Sequence, residues 1–318
     1  MLPLMLFGSI EVGLIYATVA LGVLISYRLL DFPDMTADGS FPLGGAVCGL
    51  FLYLGHSPAA AMLWGALAGA VAGAVTAYLC VSLHIAKTLS SVIVMLGLYS
   101  VNLRVLGLAP FLAGETPVAA GAPNLPLLGV GNVFTPFVAA DFSNQFAVHC
   151  AFALAIALAC WLALNLFLST GLGLALLASG MNQRMASAHG INSNAMFFLG
   201  MALSNFSIAL GGALFVQTQG CVDVSIGIGT VIAGLAAVII GESLFPTRNT
   251  WLRSAAIMVG SVLYRIFVGF AIGDGPLRHI GMGPEDLNLI TAVLVAAALV
   301  LPRNLRNWKR KLLSRKPS

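Results

Sequence analysis

Nine apolar runs, most of them long enough to cross a lipid bilayer, dominate this sequence. They cover approximately residues 9–30, 41–55, 58–83, 88–108, 147–168, 194–216, 228–243, 254–272 and 287–302. A helix of about 20 apolar residues spans the ~30 Å hydrocarbon core of a membrane. Charged side chains make up only 8% of the chain, against roughly 25% in soluble proteins. The sequence therefore predicts an all-α fold, a polytopic transmembrane helical bundle of about 8–10 spans, and excludes a soluble enzyme, a nucleic-acid-binding module and a disordered chain.

The second and seventh runs, 41–55 and 228–243, are too short to cross a membrane comfortably. Each follows a stretch that contains Gly and Asp, residues 31–40 in one case and 220–229 in the other. Short, interrupted apolar segments in corresponding places of two halves are typical of a transport pathway. We therefore expect two broken spans beside such a pathway.

The basic residues indicate how the chain is oriented. Seven of the 15 Lys and Arg lie in the last 16 residues, which predicts a membrane domain over 1–302 and a basic cytoplasmic tail over 303–318. Counting the runs back from that tail places five more basic residues on the same side: Arg28, Lys87, Arg184, Arg248 and Arg253. Because Lys and Arg collect in cytoplasmic loops, this agreement favours nine crossings with an outer N-terminus.

A cluster of polar residues comes just before or at the start of the second run. Its members are Asp34, Thr36, Asp38 and Ser40. Pro33 and Gly39 are expected to break the helix here, so that nearby backbone groups need partners in protein or water. Carboxylates at membrane depth are costly and usually functional. Two interpretations stay open: the side chains contact a passing solute, or they cap the N-terminus of the following half-helix.

Four polar residues inside other runs are further candidates for the pathway. Tyr99 and Asn102 share a helical face with Ser91, and such a face should turn toward protein or water. Whether it lines a path or bonds a neighbouring helix is open. Asn205 and Gln217, on or just after the sixth run, are lesser candidates.

Arg265 lies in the middle of the eighth run. A buried guanidinium requires a partner, and the candidates are Glu242 and Asp274. A structural ion pair is favoured over a ligand site.

The loop over residues 178–192 is the most informative one. It is short and weakly apolar, lies on the cytoplasmic side in this topology, and has Gly180 and Gly190 to turn the chain at its two ends. These properties predict a small helix along the membrane surface. The loop fits the pattern A-x-G-x-N-x-x-x-A-x-x-x-G-I, with the fixed positions held by Ala178, Gly180, Asn182, Ala186, Gly190 and Ile191.

That pattern resembles the coupling-helix loop of permeases in ATP-binding-cassette importers of the branched-chain amino acid and ribose/monosaccharide superfamily. Residues 226–242 are similar to the family's G-x-G-x-x-x-I-A motif with its following small apolar run. Residues 30–45, with F-P-D-x-T-x-D-G-S, occupy the place of the family's break in the second helix. This long form resembles a branch of which some members are linked to tryptophan or tyrosine uptake. The resemblance covers nearly the whole chain.

The resemblance implies a permease subunit that works with several partners. They are a cytoplasmic ATP-binding-cassette ATPase, an extracytoplasmic solute-binding protein, a second permease subunit, and the lipid bilayer of a bacterial inner membrane, with no nucleic acid among them. The second permease is another copy in a homodimer, which the resemblance favours, or a close paralogue. ATP is expected on the ATPase, with no cofactor and no metal on this chain. The implied passenger is a small organic solute, with an aromatic or other hydrophobic amino acid first and a sugar or nucleoside as the less favoured alternatives.

The same resemblance implies which loop residues couple to the ATPase. They are Gly180, Asn182, Arg184, Ala186, His189 and Gly190. Arg184 and His189 depart from related loops, which commonly carry Glu, so the contact with the ATPase cannot be carried over residue by residue.

Motifs of the competing classes do not occur in the sequence. There is no G-x-x-x-x-G-K-[ST], no H-E-x-x-H and no Cys/His cluster, so neither a phosphate-binding loop nor a metal site is predicted. No catalytic residue is predicted, because no nucleophile or carboxylate stands at a motif spacing from any of the five histidines. The alternatives are an ion-coupled secondary transporter or an intramembrane enzyme built around Asp34 and Asp38.

Overall fold

The computed structural model describes residues 2–114, 121–127, 129–134, 142–247, 249–272 and 292–293. The helices in these ranges are α1 (Leu2–Val23, continued by one π-helical segment, Leu24–Leu29), α2 (Ala37–Tyr53), α3 (Pro58–Val81), α4 (Lys87–Leu112), α5 (Phe142–Ser169), α6 (Gly171–Met181), α7 (Gln183–Ala188), α8 (Ser193–Gln219), α9 (Thr230–Leu244, preceded by a 3₁₀ turn, Val224–Gly227) and α10 (Thr250–Ile272). Two short strands, β1 (Asn124–Pro126) and β2 (Cys221–Asp223), pair antiparallel.

Seven segments of the described chain are long and apolar enough to cross a membrane. They are Leu6–Leu29, Pro58–Val81, Lys87–Leu112, Phe146–Ser169, Ser193–Gln219, Val224–Leu244 and Thr250–Phe270. At 17 residues, α2 is shorter, as the sequence predicts for the second span. The prediction of an all-α, multi-pass membrane protein is confirmed, while the ninth predicted run and the basic tail lie outside the described residues apart from residues 292 and 293.

The break between α1 and α2 lies over residues 30–36. The π-helical segment at the end of α1 is closed by a hydrogen bond from the Leu30 amide to the Ile25 carbonyl, 3.0 Å long, and Asp31 takes a positive φ of 50°. The prediction that Gly39 breaks the helix is wrong, since Gly39 lies inside α2. A Cβ atom there would come 2.9 Å from the Cβ atom of Leu98, so this glycine allows α4 to approach α2 closely.

Three helices, α2, α3 and α8, form the tightest part of the bundle because their glycines face one another's backbones. A methyl group at Gly44 of α2 would collide with the Ala209 carbonyl of α8, and one at Gly73 of α3 would collide with the Met201 carbonyl. Gly65 of α3 in turn faces the Gly44 carbonyl. Close backbone approach through small residues is how membrane helices associate. Polar side chains caught between these helices are shielded from lipid and must bond to one another.

Basic residues from three helices gather at one end of the bundle. Glu242, near the end of α9, is 3.2 Å from Arg28 and also pairs with Arg253 at the start of α10. Lys87 lies 5.4 Å from the ring centroid of Phe197, near the start of α8. The predicted common side of these cations is therefore present, whereas Arg248 lies outside the described residues.

Candidate functional site

Asp34, Asn205 and Ser40 form a buried hydrogen-bonded chain at the junction of α2 and α8. Asp34 is only 3% exposed, and one of its carboxylate oxygens accepts from the Asn205 side-chain amide at 2.7 Å. The Asn205 side-chain oxygen accepts in turn from the Ser40 hydroxyl at 2.7 Å. The other Asp34 oxygen accepts from the Thr36 backbone amide at 2.9 Å. The sequence-predicted residues Asp34, Thr36, Ser40 and Asn205 thus meet in one network.

A residue that the sequence reasoning missed ties this network to α3. The hydroxyl groups of Thr36 and Thr76 lie 2.8 Å apart, and the Thr76 hydroxyl also donates to the Ala72 carbonyl at 3.2 Å. Thr76 follows Gly73 by three residues, so it continues the glycine face that packs on α8. The three-residue spacing from Gly73 is the sequence signal from which Thr76 could have been predicted.

Asp38 acts as the cap of a distant helix. Its carboxylate accepts hydrogen bonds from the backbone amides of Val231 at 2.8 Å and Gly229 at 3.3 Å. These amides lie at the start of α9, where a helix leaves donors unpaired and favours negative charge. Capping was one of the two predicted interpretations, but the capped helix is α9 rather than α2, because Gly227 lets the chain pass directly beside the Asp38 carbonyl.

Asn102 adjoins this network from α4. Its side-chain amide donates to the Gly39 carbonyl at 3.2 Å. Its side-chain oxygen is buried and has no hydrogen-bond partner among the residues that the structure describes. A buried acceptor without a partner is costly, so this oxygen is available to a group that enters the bundle.

Tyr99 and Gln217 do not join this network. Tyr99 is 56% exposed, whereas Ser91 and Asn102 are buried in α4. That Tyr99 lines the solute path stays a prediction. Gln217 is buried at the other end of α8. It accepts from the Val133 amide at 3.0 Å and donates to the Pro58 carbonyl at 3.3 Å, which holds the connecting segments in place.

The loop over residues 178–192 contains the predicted small helix, α7. The Asn182 side-chain oxygen caps it by accepting from the Met185 amide at 3.1 Å. Gly190 ends it with a φ of +81°, a conformation that suits glycine. Gly180 does not turn the chain as predicted, since it lies inside α6, where a side chain would collide with the Leu29 carbonyl.

Most of α7 faces outward from the bundle. Ala186 alone among residues 181–190 is buried. Met181 and Met185 are 88% and 62% exposed, and Arg184 and His189 are exposed beside them. Apolar side chains presented on a rigid projection are typical of a protein docking surface.

Arg265 does not pair with Glu242. The Glu242 carboxylate binds Arg28 and Arg253 instead, and the other predicted partner, Asp274, lies outside the described residues. The Arg265 guanidinium lies against the Tyr16 ring, 3.7 Å from its centroid. Of the two candidate partners, Glu242 is therefore wrong, and an ion pair with Asp274 stays a prediction.

Comparisons with known proteins identify relatives of this chain. Residues 5–300 match the family described as branched-chain amino acid transport system / permease component. The chain is 38% identical over 287 residues, 90% of its length and 88% of the relative's, to a tyrosine transport system permease protein from Clostridioides difficile (strain R20291). It is 28% identical over 259 residues, 78% of its length and 76% of the relative's, to the nucleoside ABC transporter permease protein NupC from Lactococcus lactis subsp. cremoris (strain MG1363).

Among solved structures, PsaBC from Streptococcus pneumoniae in complex with Fab is similar with a TM-score of 0.48 and 15% sequence identity, covering 94% of this chain and 89% of that chain. That likeness adds no weight beside the family match, which covers nearly the whole chain. The chain belongs to the family of permease components of branched-chain amino acid transport systems.

Proposed function

We propose that this permease is the membrane-spanning subunit of an ATP-driven importer of an aromatic amino acid, with tyrosine first. The family membership and the relative named for tyrosine transport support this proposal. ATP hydrolysis takes place on a separate cytoplasmic ATPase, and an extracytoplasmic binding protein delivers the solute. The complex lies in a bacterial inner membrane and contains two copies of this chain, whose residues 303–318 form a cytoplasmic tail.

The observation that carries the proposal is the exposed helix α7 between two membrane spans. It lies at the end of the bundle where Arg28, Lys87 and Arg253 gather, the cytoplasmic side by the positive-inside rule. Its exposed methionines suit a groove on a partner protein, since Met adapts to irregular surfaces. Movement of a bound ATPase would push on α6 and α8 through α7, because the connections are short.

Each loop residue has a proposed part in this coupling. Asn182 and Gly190 set the two ends of α7, and Ala186 anchors it to the bundle. Gly180 lets α6 lie against the end of α1, so that motion of α7 reaches the α1–α2 break. Arg184 and His189 contact the ATPase.

The network around Asp34, Thr36, Ser40 and Asn205 is proposed to be the moving junction of the solute path. Asp38 links the two short spans, α2 and α9, so that they shift together when the path opens. The free Asn102 oxygen is the proposed acceptor for the solute. Tyr99 and Gln217 lie outside this junction and are proposed to line other parts of the solute path.

The test measures ATP hydrolysis by the complete complex in nanodiscs, with the binding protein loaded with tyrosine, leucine or uridine. We expect tyrosine to raise hydrolysis most, since the binding protein signals occupancy through the permease. Stimulation by uridine alone would show that the transported solute is a nucleoside and not an amino acid. No stimulation by any loaded binding protein, in a complex that assembles, would contradict the proposal.

A further inference from the structure

A cavity of about 290 Å³ opens between α1, α8, α9 and α10. Three aromatic rings and two polar side chains contribute to its wall: Tyr16, Phe215, Tyr264, Gln219 and Arg265. This volume is close to the lower end of the range for small-molecule sites, about 300–1,000 Å³, which suits a solute of the size of one amino acid. The wall is therefore apolar and aromatic around a single cationic group.

Arg265 is the cationic group, and its charge is not compensated by the described part of the chain. No ion pair joins it to any described residue, and its Nε atom is buried without a hydrogen-bond partner among them. Arginine inside a membrane span is costly and faces a partner or a water-filled cavity. Here it faces the cavity, so an anionic partner would offset the cost.

The stacking geometry leaves the hydrogen-bond donors of Arg265 available. Tyr16 covers one flat face of the guanidinium at 3.7 Å from the ring centroid. The N–H groups of a guanidinium point outward in its plane, in a fork that matches a carboxylate. Stacking on Tyr16 therefore fixes the orientation of the fork without occupying it.

The cavity also lies in a suitable place for a solute on its way inward. Gln219, at the end of α8, and Gly229, just before α9, both line it. The Gly229 amide is bonded to Asp38, so the cavity adjoins the proposed moving junction. A solute held here contacts the element that moves.

We propose that the carboxylate of an aromatic amino acid binds the Arg265 guanidinium in this cavity, with the ring of the solute among Tyr16, Phe215 and Tyr264. This inference rests on the proposed function, because it places that function's solute. Two parallel N–H···O bonds would fix the carboxylate, and edge-to-face ring contacts would favour an aromatic side chain. The site selects for a carboxylate and an aromatic ring together.

The test compares tyrosine with tyramine, which keeps the ring and the amine but has no carboxylate. Full-length permease is placed in nanodiscs of neutral phosphatidylcholine, and the dissociation constant of each compound is obtained from its effect on the thermal unfolding midpoint. We expect the protein to bind tyrosine about tenfold or more tightly than tyramine, the ratio that a charge-assisted bond supplies. Arg265→Gln should abolish this preference, while Arg104→Gln, which removes an exposed arginine of α4, should keep it.

Arg265→Lys keeps the charge and loses the fork, so it should retain a reduced preference, and it replaces Arg265→Gln if that variant does not fold. An unchanged tyrosine preference in both variants would overturn the inference. The inference would also be overturned if the wild-type protein bound neither compound and only an anionic phospholipid stabilised it in an Arg265-dependent way. The ligand of Arg265 would then be a lipid phosphate. If tyrosine binds through Arg265 but the complete complex does not hydrolyse ATP in response to it, the site stands and the proposed function fails.

Discussion

The carboxylate of Asp38 in α2 accepts a 2.8 Å hydrogen bond from the backbone amide of Val231 in α9, 193 residues further along the chain. This bond joins α2, which is too short to cross the membrane in the ordinary way, to α9, which crosses together with the 3₁₀ turn that precedes it. Each begins inside the bundle, where a free helix end would leave backbone donors without partners. Asp38 satisfies two donors of α9 and connects it to α2.

Replacing Asp38 by Ala should therefore weaken both the fold and transport. The loss of a helix cap costs about 1 kcal/mol of stability, and solute uptake should fall while basal ATP hydrolysis is kept. Asp38→Asn retains an acceptor oxygen and should lose less. Asp31→Asn, at an exposed position with positive φ, is the control and should behave like the wild type. Unchanged uptake by Asp38→Ala would show that Asp38 only caps α9 and does not couple the movements of α2 and α9.

Replacing Asn205 by Leu should destabilise the bundle by about 3 kcal/mol, because it removes the side-chain donor to one oxygen of the buried Asp34 carboxylate and the acceptor of the Ser40 hydroxyl. The double substitution Asp34→Asn with Asn205→Asp exchanges donor and acceptor, and it should recover part of that loss. Unfolding midpoints in nanodiscs give both values. A double variant no more stable than Asn205→Leu would show that the hydrogen bond between these two residues is not what the site needs.

Gly73→Ala should destabilise the contact between α3 and α8 by about 1–3 kcal/mol, because the added methyl group meets the Met201 carbonyl. Gly97→Ala is the matched control on α4, where a Cβ atom meets nothing within 4 Å. Since alanine favours a helix over glycine by about 1 kcal/mol, that control should be neutral or slightly stabilising. Equal unfolding midpoints for the two variants would argue against close packing at Gly73.

Gly190→Pro should uncouple the permease from its ATPase. The φ of +81° at Gly190 is closed to proline, whose ring holds φ near −65°, so α7 would end in a different direction. Ala186→Trp should act in the same way by displacing the buried anchor of α7. Gly171→Ala, on α6 with open space around it, should retain solute-stimulated ATP hydrolysis. Normal stimulation in Gly190→Pro would remove α7 from the coupling path.

Much of the fold follows from local sequence patterns. Apolar run length locates the spans because a bilayer imposes one length on every helix that crosses it. The short second span and α7 could also be predicted, because the hydrophobicity and the turn residues that define them are local features of the sequence. Long-range partners could not be predicted, because run length does not tell which helices pack together.

In the candidate site, too, local features were predictable and long-range partners were not. That Asp34 and Asp38 bond to partners within the protein was predictable from the cost of carboxylates in lipid. That Asp38 bonds to Val231, and that Thr76 rather than Gln217 joins the network, depends on how the glycine faces of α2, α3 and α8 fit. Gly39 was misread because its role is close approach to Leu98, which leaves no local signal.

ATP-driven import of tyrosine is tested by measuring uptake of the labelled amino acid into proteoliposomes. The vesicles hold the complete complex, with the binding protein outside and the ATPase facing the lumen. We expect uptake that requires ATP in the lumen and the binding protein, and that survives collapse of the proton and sodium gradients. Uptake that needs no ATP and disappears with either gradient would contradict it and favour an ion-coupled secondary transporter.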